Sequence, residues 1–170
     1  MARRVFFSFH YADVWRVMQI RNAWVMPSSG EVAGFIDKAD FETVERKGRA
    51  AIERWIDQQL EGTSATIVLI GAETADRPYV QYEIERSYER GNRLLGIWLD
   101  NIKDAAGATS WWRGPNPFDN VNIGGLLFGT SVASMLNVPI YDWVNDSGRT
   151  NISHWIETAP RKERATFDLW

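Results

Sequence analysis

A doubly wound parallel α/β sheet of about five strands, with helices on both faces, is the fold that this 170-residue sequence predicts. Three observations point to it. Short, almost wholly apolar runs recur along the chain, as in Val5-Phe6-Phe7-Ser8-Phe9 and Thr66-Ile67-Val68-Leu69-Ile70; a strand covered on both faces reads as such a run rather than as an alternation. Between the runs lie longer segments whose apolar residues repeat at helical spacing. Glycine or proline stands at the junctions, at Pro27, Gly30, Gly62, Pro78 and Gly91.

Val5 to Phe9 is the first strand. A helix over Ala12 to Val25 follows, with Val14, Val17, Met18, Arg21 and Trp24 at helical spacing, and Pro27-Ser28-Ser29-Gly30 breaks it. Val32 to Asp37 reads as a short second strand. Asp40 to Glu61 reads as a mostly helical stretch whose buried stripe is Val44, Ala51, Ile52, Trp55, Ile56 and Leu60, and Gly62 ends it. Ala65 to Ile70 is the third strand. The third helix runs from about Arg77 to Arg90. Pro78 suits its first turn, where a missing N–H has no partner anyway, and Asp76 is placed to cap it. Val80, Ile84 and Tyr88 form its core face, and Gly91 stands where a C-cap glycine belongs. Leu94 to Leu99 is the fourth strand. The rhythm then stops: Asp100 to Gly129 holds seven glycines and prolines together with Trp111, Trp112 and Phe118. We read it as an irregular, partly ordered insertion, at about 100–130, within a single domain. A short helix over Ser131 to Asn137, a fifth strand over Val138 to Trp143 and a last helix over Asn151 to Thr158 complete the pattern.

Bulk properties narrow the function. Hydrophobic residues make up 45% of the chain and nine residues are Trp, which excludes a disordered protein. A net charge of −3 argues against a nucleic-acid partner. There is no cysteine, so disulfides and thiol chemistry are excluded and a reducing, cytoplasmic setting is expected. Met1-Ala2-Arg3-Arg4 leads into a strand rather than a signal peptide. No apolar run approaches the ~20 residues that span a bilayer, so no membrane role is expected. The sequons at Asn145 and Asn151 read as chance occurrences in a cytosolic protein.

The available chemistry is limited. His10 and His154 are the two histidines, and no metal-ligand spacing is visible, so no metal is expected. A Gly-x-Ser-x-Gly elbow is absent. Gly124, Gly125 and Gly129 lack the Lys-Ser/Thr of a phosphate loop. Ser8-Phe9-His10-Tyr11, after the first strand, has no glycine and is not a dinucleotide fingerprint. The third strand ends in Ile70-Gly71-Ala72, without the aspartate of a phosphoacceptor. What remains is a carboxylate site in Arg77-Pro78-Tyr79-Val80-Gln81-Tyr82-Glu83-Ile84. Tyr79 and Glu83 are one helical turn apart and share a face. Ligands of open α/β sheets bind where such a loop and helix follow a strand's carboxyl end. Cleaving an N-glycosidic bond passes through an oxocarbenium-like centre, which a carboxylate stabilises, while an aromatic wall excludes water. The same spacing fits a solvated helix glutamate, as Glu85 and Glu89 are read.

Val5-Phe6-Phe7-Ser8-Phe9 resembles the first-strand motif of Toll/interleukin-1 receptor (TIR) domains. Phe35-Ile36-Asp37 with Gly48-Arg49-Ala50-Ala51-Ile52 resembles their second strand, BB loop and second helix. Tyr79-Val80-Gln81-Tyr82-Glu83 is similar to their Trp-x-x-x-Glu signature, with tyrosine in place of tryptophan. More narrowly, Arg4 to Tyr11, Gly114-Pro115-Asn116-Pro117-Phe118-Asp119 and Tyr141-Asp142-Trp143-Val144 resemble the TIR-like ThsB proteins of the bacterial Thoeris anti-phage system. The resemblance covers most of the chain and implies a flavodoxin-like, TIR-like sheet. It also implies an enzyme of the hydrolase class that uses NAD⁺ as substrate, with no further cofactor, and releases nicotinamide after a phage-derived trigger. The product is a cyclic ADP-ribose isomer, a diffusible signal that activates a ThsA-like effector, and assembly into homo-oligomers is a further expectation. It places the catalytic glutamate at Glu83 and substrate contacts at Ser8, Phe9, His10, Tyr11, Asp37, Phe41 and Tyr79. Each contact also has a plain structural use: Phe9 and Tyr11 as packing, His10 as a loop histidine, Asp37 as a turn cap and Phe41 as a staple on the second helix. A non-catalytic TIR scaffold working through homotypic assembly, and a flavodoxin-like binder of another nucleotide, are the rival readings.

Overall fold

The computed structural model describes residues 3–28, 30–35, 38–124 and 129–163. Strands β1 (Arg4–Phe9), β2 (Glu31–Ala33), β3 (Ala65–Ile70) and β4 (Arg93–Trp98) come from the four apolar runs. Two short strands, β5 (Asn122–Ile123) and β6 (Thr130–Ser131), precede β7 (Ile140–Asp142). The main sheet has the order β2-β1-β3-β4-β7, and every neighbouring pair is parallel. From β1 the chain goes first to β2 on one side and later to β3 on the other. The order therefore reverses at β1, which makes the carboxyl ends of β1 and β3 the topological switch point, where open α/β sheets bind ligands.

Helices supply the crossovers: α1 (Val14–Ser28), α2 (Lys38–Arg46), α3 (Arg49–Leu60), α4 (Pro78–Arg90), the short α5 (Val132–Leu136) and α6 (Gly148–Thr158). Strand alternation divides the core between the sheet's two faces. Val5, Phe7, Ala65, Ile67 and Leu69 pack with Val17 and Ile20 of α1 and with Ile152 and Ile156 of α6. On the other face, Phe6 meets Ile52, Ile56 and Leu60 of α3, and Val68 and Ile70 meet Val80 and Ile84 of α4. Ser8, next but one after Phe6, points to the α4 side and is fully buried there.

Four expectations are revised. The stretch from Asp40 to Glu61 is two helices, because Gly48 takes φ 91°, a conformation that a continuous helix cannot contain. The second strand stops at Ala33: Gly34 turns the chain at φ 88° so close to β1 that a Cβ there would lie 2.4 Å from the Phe7 carbonyl oxygen. Ile36 and Asp37, which completed the predicted strand, lie outside the described residues. Asp76 does not cap α4. It belongs to a 3₁₀ turn, Thr74–Asp76, and Arg77 occupies the N-cap position without a side-chain bond. Finally, the segment after β4 is more ordered than its composition suggests. Phe118 is fully buried against α4 in a 3₁₀ turn, Pro117–Asn120, whose Asn116 side chain accepts from the Phe118 N–H at 2.9 Å. β5 and β6 form an antiparallel pair. Asp142 of β7 accepts from Asn101 at 2.6 Å and from Arg113 at 2.5 Å, which ties the loop to the sheet. No helix among the described residues is long and apolar enough to cross a membrane.

Candidate active site

The carboxyl end of β1 opens into a cavity of about 270 Å³. Phe7, Phe9, His10 and Tyr11 enter it from β1 and the loop that follows. Gly34 comes from the turn after β2, Phe41 and Glu45 from α2, and Trp55 from α3. Arg77, Pro78, Tyr79, Val80 and Glu83 come from the start of α4. These pieces are distant in sequence, and they meet because β1 is interior in the sheet and α4 begins at the carboxyl edge that β1 shares with β3.

Much of the wall is aromatic. Phe41 sits edge-on to both Tyr79 and Trp55, each at 6.3 Å between ring centroids, at 79° and 74°. Phe35 backs Phe9 at 5.1 Å and Phe7 at 5.8 Å. Such edge-to-face packing holds rings in place and leaves an apolar surface for a ligand ring.

Glu83 is set into this wall with 8% of its surface exposed. α4 turns one stripe inward, Val80, Ile84, Ser87 and Tyr88, and Glu83 adjoins it. The Ser8 hydroxyl donates to Glu83 Oε2. Burial pushes the carboxyl up to about 8, and the Ser8 hydrogen bond acts in the opposite direction. An acid whose ionised form is this poorly supported is a functional candidate on physical grounds.

Charge surrounds it unevenly. Arg77 donates to Glu73 Oε2 at 3.0 Å through one terminal nitrogen, while its Nε is buried and has no hydrogen-bond partner among the described residues. Glu73 also lies 3.8 Å from His10 Nδ1. Burial first, and then the Arg77 charge, hold His10 below its ordinary value. Glu45 is a second carboxylate on the wall, and its side chain forms no hydrogen bond among the described residues. No group of three or more His, Asp or Glu side chains among those residues is arranged to hold a metal ion. An apolar ring surface, a guanidinium on the wall and a buried acid suit a ligand that combines a flat ring, an anionic group and a centre that becomes cationic.

Of the residues singled out from the sequence, Phe9, His10, Tyr11, Phe41, Tyr79 and Glu83 are brought together on this cavity. Ser8 lies behind Glu83, fully buried and off the cavity wall. Asp37 lies outside the described residues. Sequence reasoning missed Arg77, Glu45, Trp55, Phe7 and Gly34. Arg77 stands directly before Pro78 in the stretch that carries Tyr79 and Glu83, and its place at the helix start was the available signal. Trp55 was read as core, which it partly is, and Glu45 had no mark to separate it from other surface acids.

Comparison with known proteins points to one family. The profile of the family described as "Thoeris protein ThsB, TIR-like domain" matches residues 6–104, a span that includes every residue lining the cavity. A protein of Bacillus cereus (strain MSX-D12), named "Putative cyclic ADP-D-ribose synthase ThsB1", is 45% identical over 121 residues. The match takes in 70% of this chain and 62% of that relative's length. The five-stranded parallel sheet, the first-strand and third-helix motifs and these two matches together place the chain in the Thoeris ThsB family of TIR-like domain proteins.

Proposed function

We propose that this protein is an NAD⁺-cleaving enzyme of anti-phage defence that releases nicotinamide and makes a cyclic ADP-ribose isomer, the signal for a ThsA-like effector. The observation that carries the reading is the glutamate: Glu83 is buried at the switch point, on an aromatic cavity, with one oxygen held by Ser8. The name of the Bacillus cereus relative, a cyclic ADP-D-ribose synthase, supports the same product class.

In this reading the nicotinamide-ribose half of NAD⁺ fills the cavity against Tyr79, Phe41 and Trp55. The Arg77 guanidinium, which lines the cavity, takes a pyrophosphate oxygen, since its planar, permanently charged fork suits phosphate. Binding a cationic nicotinamide beside Glu83 favours the ionised carboxylate, because an opposite charge lowers an acid's titration point. The bond between ribose C1′ and the pyridine nitrogen then breaks. Its electron pair goes to the ring, so nicotinamide departs neutral. Positive charge develops at C1′ and O4′, where the Glu83 carboxylate stabilises it. A hydroxyl of the same nucleotide attacks C1′ and gives up its proton, which closes the cyclic product. Water attacking instead gives ADP-ribose. The apolar wall favours the first outcome by limiting water.

Small-molecule mass spectrometry on phage-challenged cells tests the reading. Cells expressing the chain are expected to accumulate nicotinamide and a species with the mass of cyclic ADP-ribose, and a low-molecular-weight filtrate from them is expected to switch on a ThsA-like effector. Soluble protein with neither product across several phages would overturn the reading in favour of a non-catalytic scaffold.

A further inference from the structure

Ser8 is a polar residue where the sheet calls for an apolar one. It stands between Phe7 and Phe9 in the interior strand β1 and is fully buried. A buried hydroxyl without a partner destabilises the fold. The partner here is Glu83 Oε2, contributed by α4, 75 residues further along the chain. The serine O–H is the donor and Glu83 Oε2 the acceptor. Oε1 of Glu83 has no hydrogen bond among the described residues, and Glu83 lies on the cavity wall.

The next turn of α4 offers a contrast. Ser87 also turns to the sheet, meets Thr66 at 2.7 Å, and is extended by Asn92, which donates to Thr66 at 3.3 Å and to Thr63 at 2.8 Å. That network closes on itself and none of its members lines the cavity. α4 therefore makes two buried polar contacts with the sheet. One is complete, and the other leaves an oxygen unused at the candidate active site.

We propose that Ser8 is a positioning residue, whose hydroxyl anchors one oxygen of Glu83, leaves the other for substrate and sustains the ionised carboxylate in an apolar wall. This differs from the direct substrate contact that the TIR resemblance implies for Ser8, and its catalytic consequence rests on the NAD⁺-cleaving reading. The titratable groups that share the cavity are His10 and Tyr11 after β1, Glu45 on α2, and Arg77 and Tyr79 at the start of α4. Glu73 and Asp13 stand behind His10 and Arg77. None of these hydrogen-bonds or ion-pairs with Glu83 among the described residues. Burial and Ser8 are the two influences on its charge, and they oppose each other. Without the hydroxyl, burial acts alone and Glu83 stays protonated to higher pH.

The test compares wild type with Ser8→Ala, Ser8→Cys and Ser8→Thr, using two readouts. The first is the side-chain carboxyl ¹³C shift of Glu83, assigned by its loss in Glu83→Gln, followed against pH in the full chain. Ser8→Ala is expected to move the midpoint up by about one unit, the order of a single hydrogen bond to a carboxylate. Ser8→Thr, which keeps the hydroxyl, is expected to stay near wild type. Ser8→Cys, a weaker donor, is expected to fall between, and it carries the test if the alanine variant does not fold. The second readout is NAD⁺ cleavage against pH: the acid limb of kcat is expected to shift upward in Ser8→Ala with KM little changed. An unmoved Glu83 midpoint would overturn the proposal. So would a raised KM with an unmoved pH profile, which would make Ser8 a substrate contact. A shifted midpoint with no NAD⁺ cleavage in any variant would uphold the hold of Ser8 on Glu83 and overturn the enzymatic reading instead.

Discussion

Glu83 and Asp142 are buried to almost the same degree, at 8% and 7% exposure, yet their carboxyls move in opposite directions. Burial pushes both up. Asp142 nevertheless ends below the usual carboxylate range, because the N–H groups of Val144 and Asn145 and the side chains of Asn101 and Arg113 all donate to it. Glu83 has only Ser8 and is pushed up to about 8. The donor count and the deeper setting of Glu83 together separate an acid that ties a loop to the sheet from one left available for chemistry. A stability consequence follows. Folding favours the protonated form of Glu83, so the full stability is present below about pH 4.5, the ordinary value, and is lost progressively as pH rises to about 8. Glu83→Gln removes that loss. Its melting temperature is expected to match wild type near pH 4.5 and to exceed it by a margin that grows to pH 8 and then levels off. Thermal melts across that range check this, and a margin independent of pH contradicts it. Arg77 belongs to the same scale. Because its guanidinium lines the cavity, Arg77→Ala is expected to raise KM for NAD⁺ about tenfold, with a smaller effect on kcat, as loss of a charge-assisted contact would. Steady-state kinetics would show a kcat-only loss if Arg77 instead served the bond-breaking step.

The helix that presents Glu83 was legible in the sequence almost to the residue. Pro78 opens α4 and Gly91, at φ 77°, closes it in the left-handed conformation that glycine tolerates. These signals are local, so one sequence suffices to read them. The break between α2 and α3 was not legible from periodicity, because the apolar residues on either side of Gly48 keep helical spacing and a glycine inside such a pattern is often accommodated. Its φ of 91° has no clash behind it: a Cβ there would meet nothing within 4 Å. With ψ at 176° this is a conformation essentially reserved for glycine, so Gly48→Ala is expected to destabilise through backbone strain alone, by about 1–3 kcal/mol, visible as a lower urea midpoint with an unchanged slope. An unchanged midpoint would mean that the turn adapts. The segment after β4 escaped sequence reading for a different reason. Phe118 and Arg113 are held by α4 and β7, and such long-range partners leave no periodic mark.

At the scale of the whole molecule, the parallel sheet follows from apolar runs alternating with amphipathic helices, and the switch point follows from β1 lying between β2 and β3. The cavity is a product of that topology. Its wall draws on β1, the turn after β2, α2, α3 and α4, so periodicity could suggest single members such as Tyr79 and Glu83 but not the assembly. The family resemblance added Phe9, His10, Tyr11 and Phe41 to the candidates. Arg77 and Glu45, which no motif marked, needed three dimensions. The proposed cleavage of NAD⁺ by a buried Glu83 at this switch point is tested by nicotinamide release from phage-challenged cells that contain equal soluble amounts of wild type or Glu83→Gln. The variant, folded and at least as heat-stable at pH 7, is expected to release nicotinamide about 10²–10³-fold more slowly. Release at the wild-type rate by a folded Glu83→Gln protein would contradict the proposal.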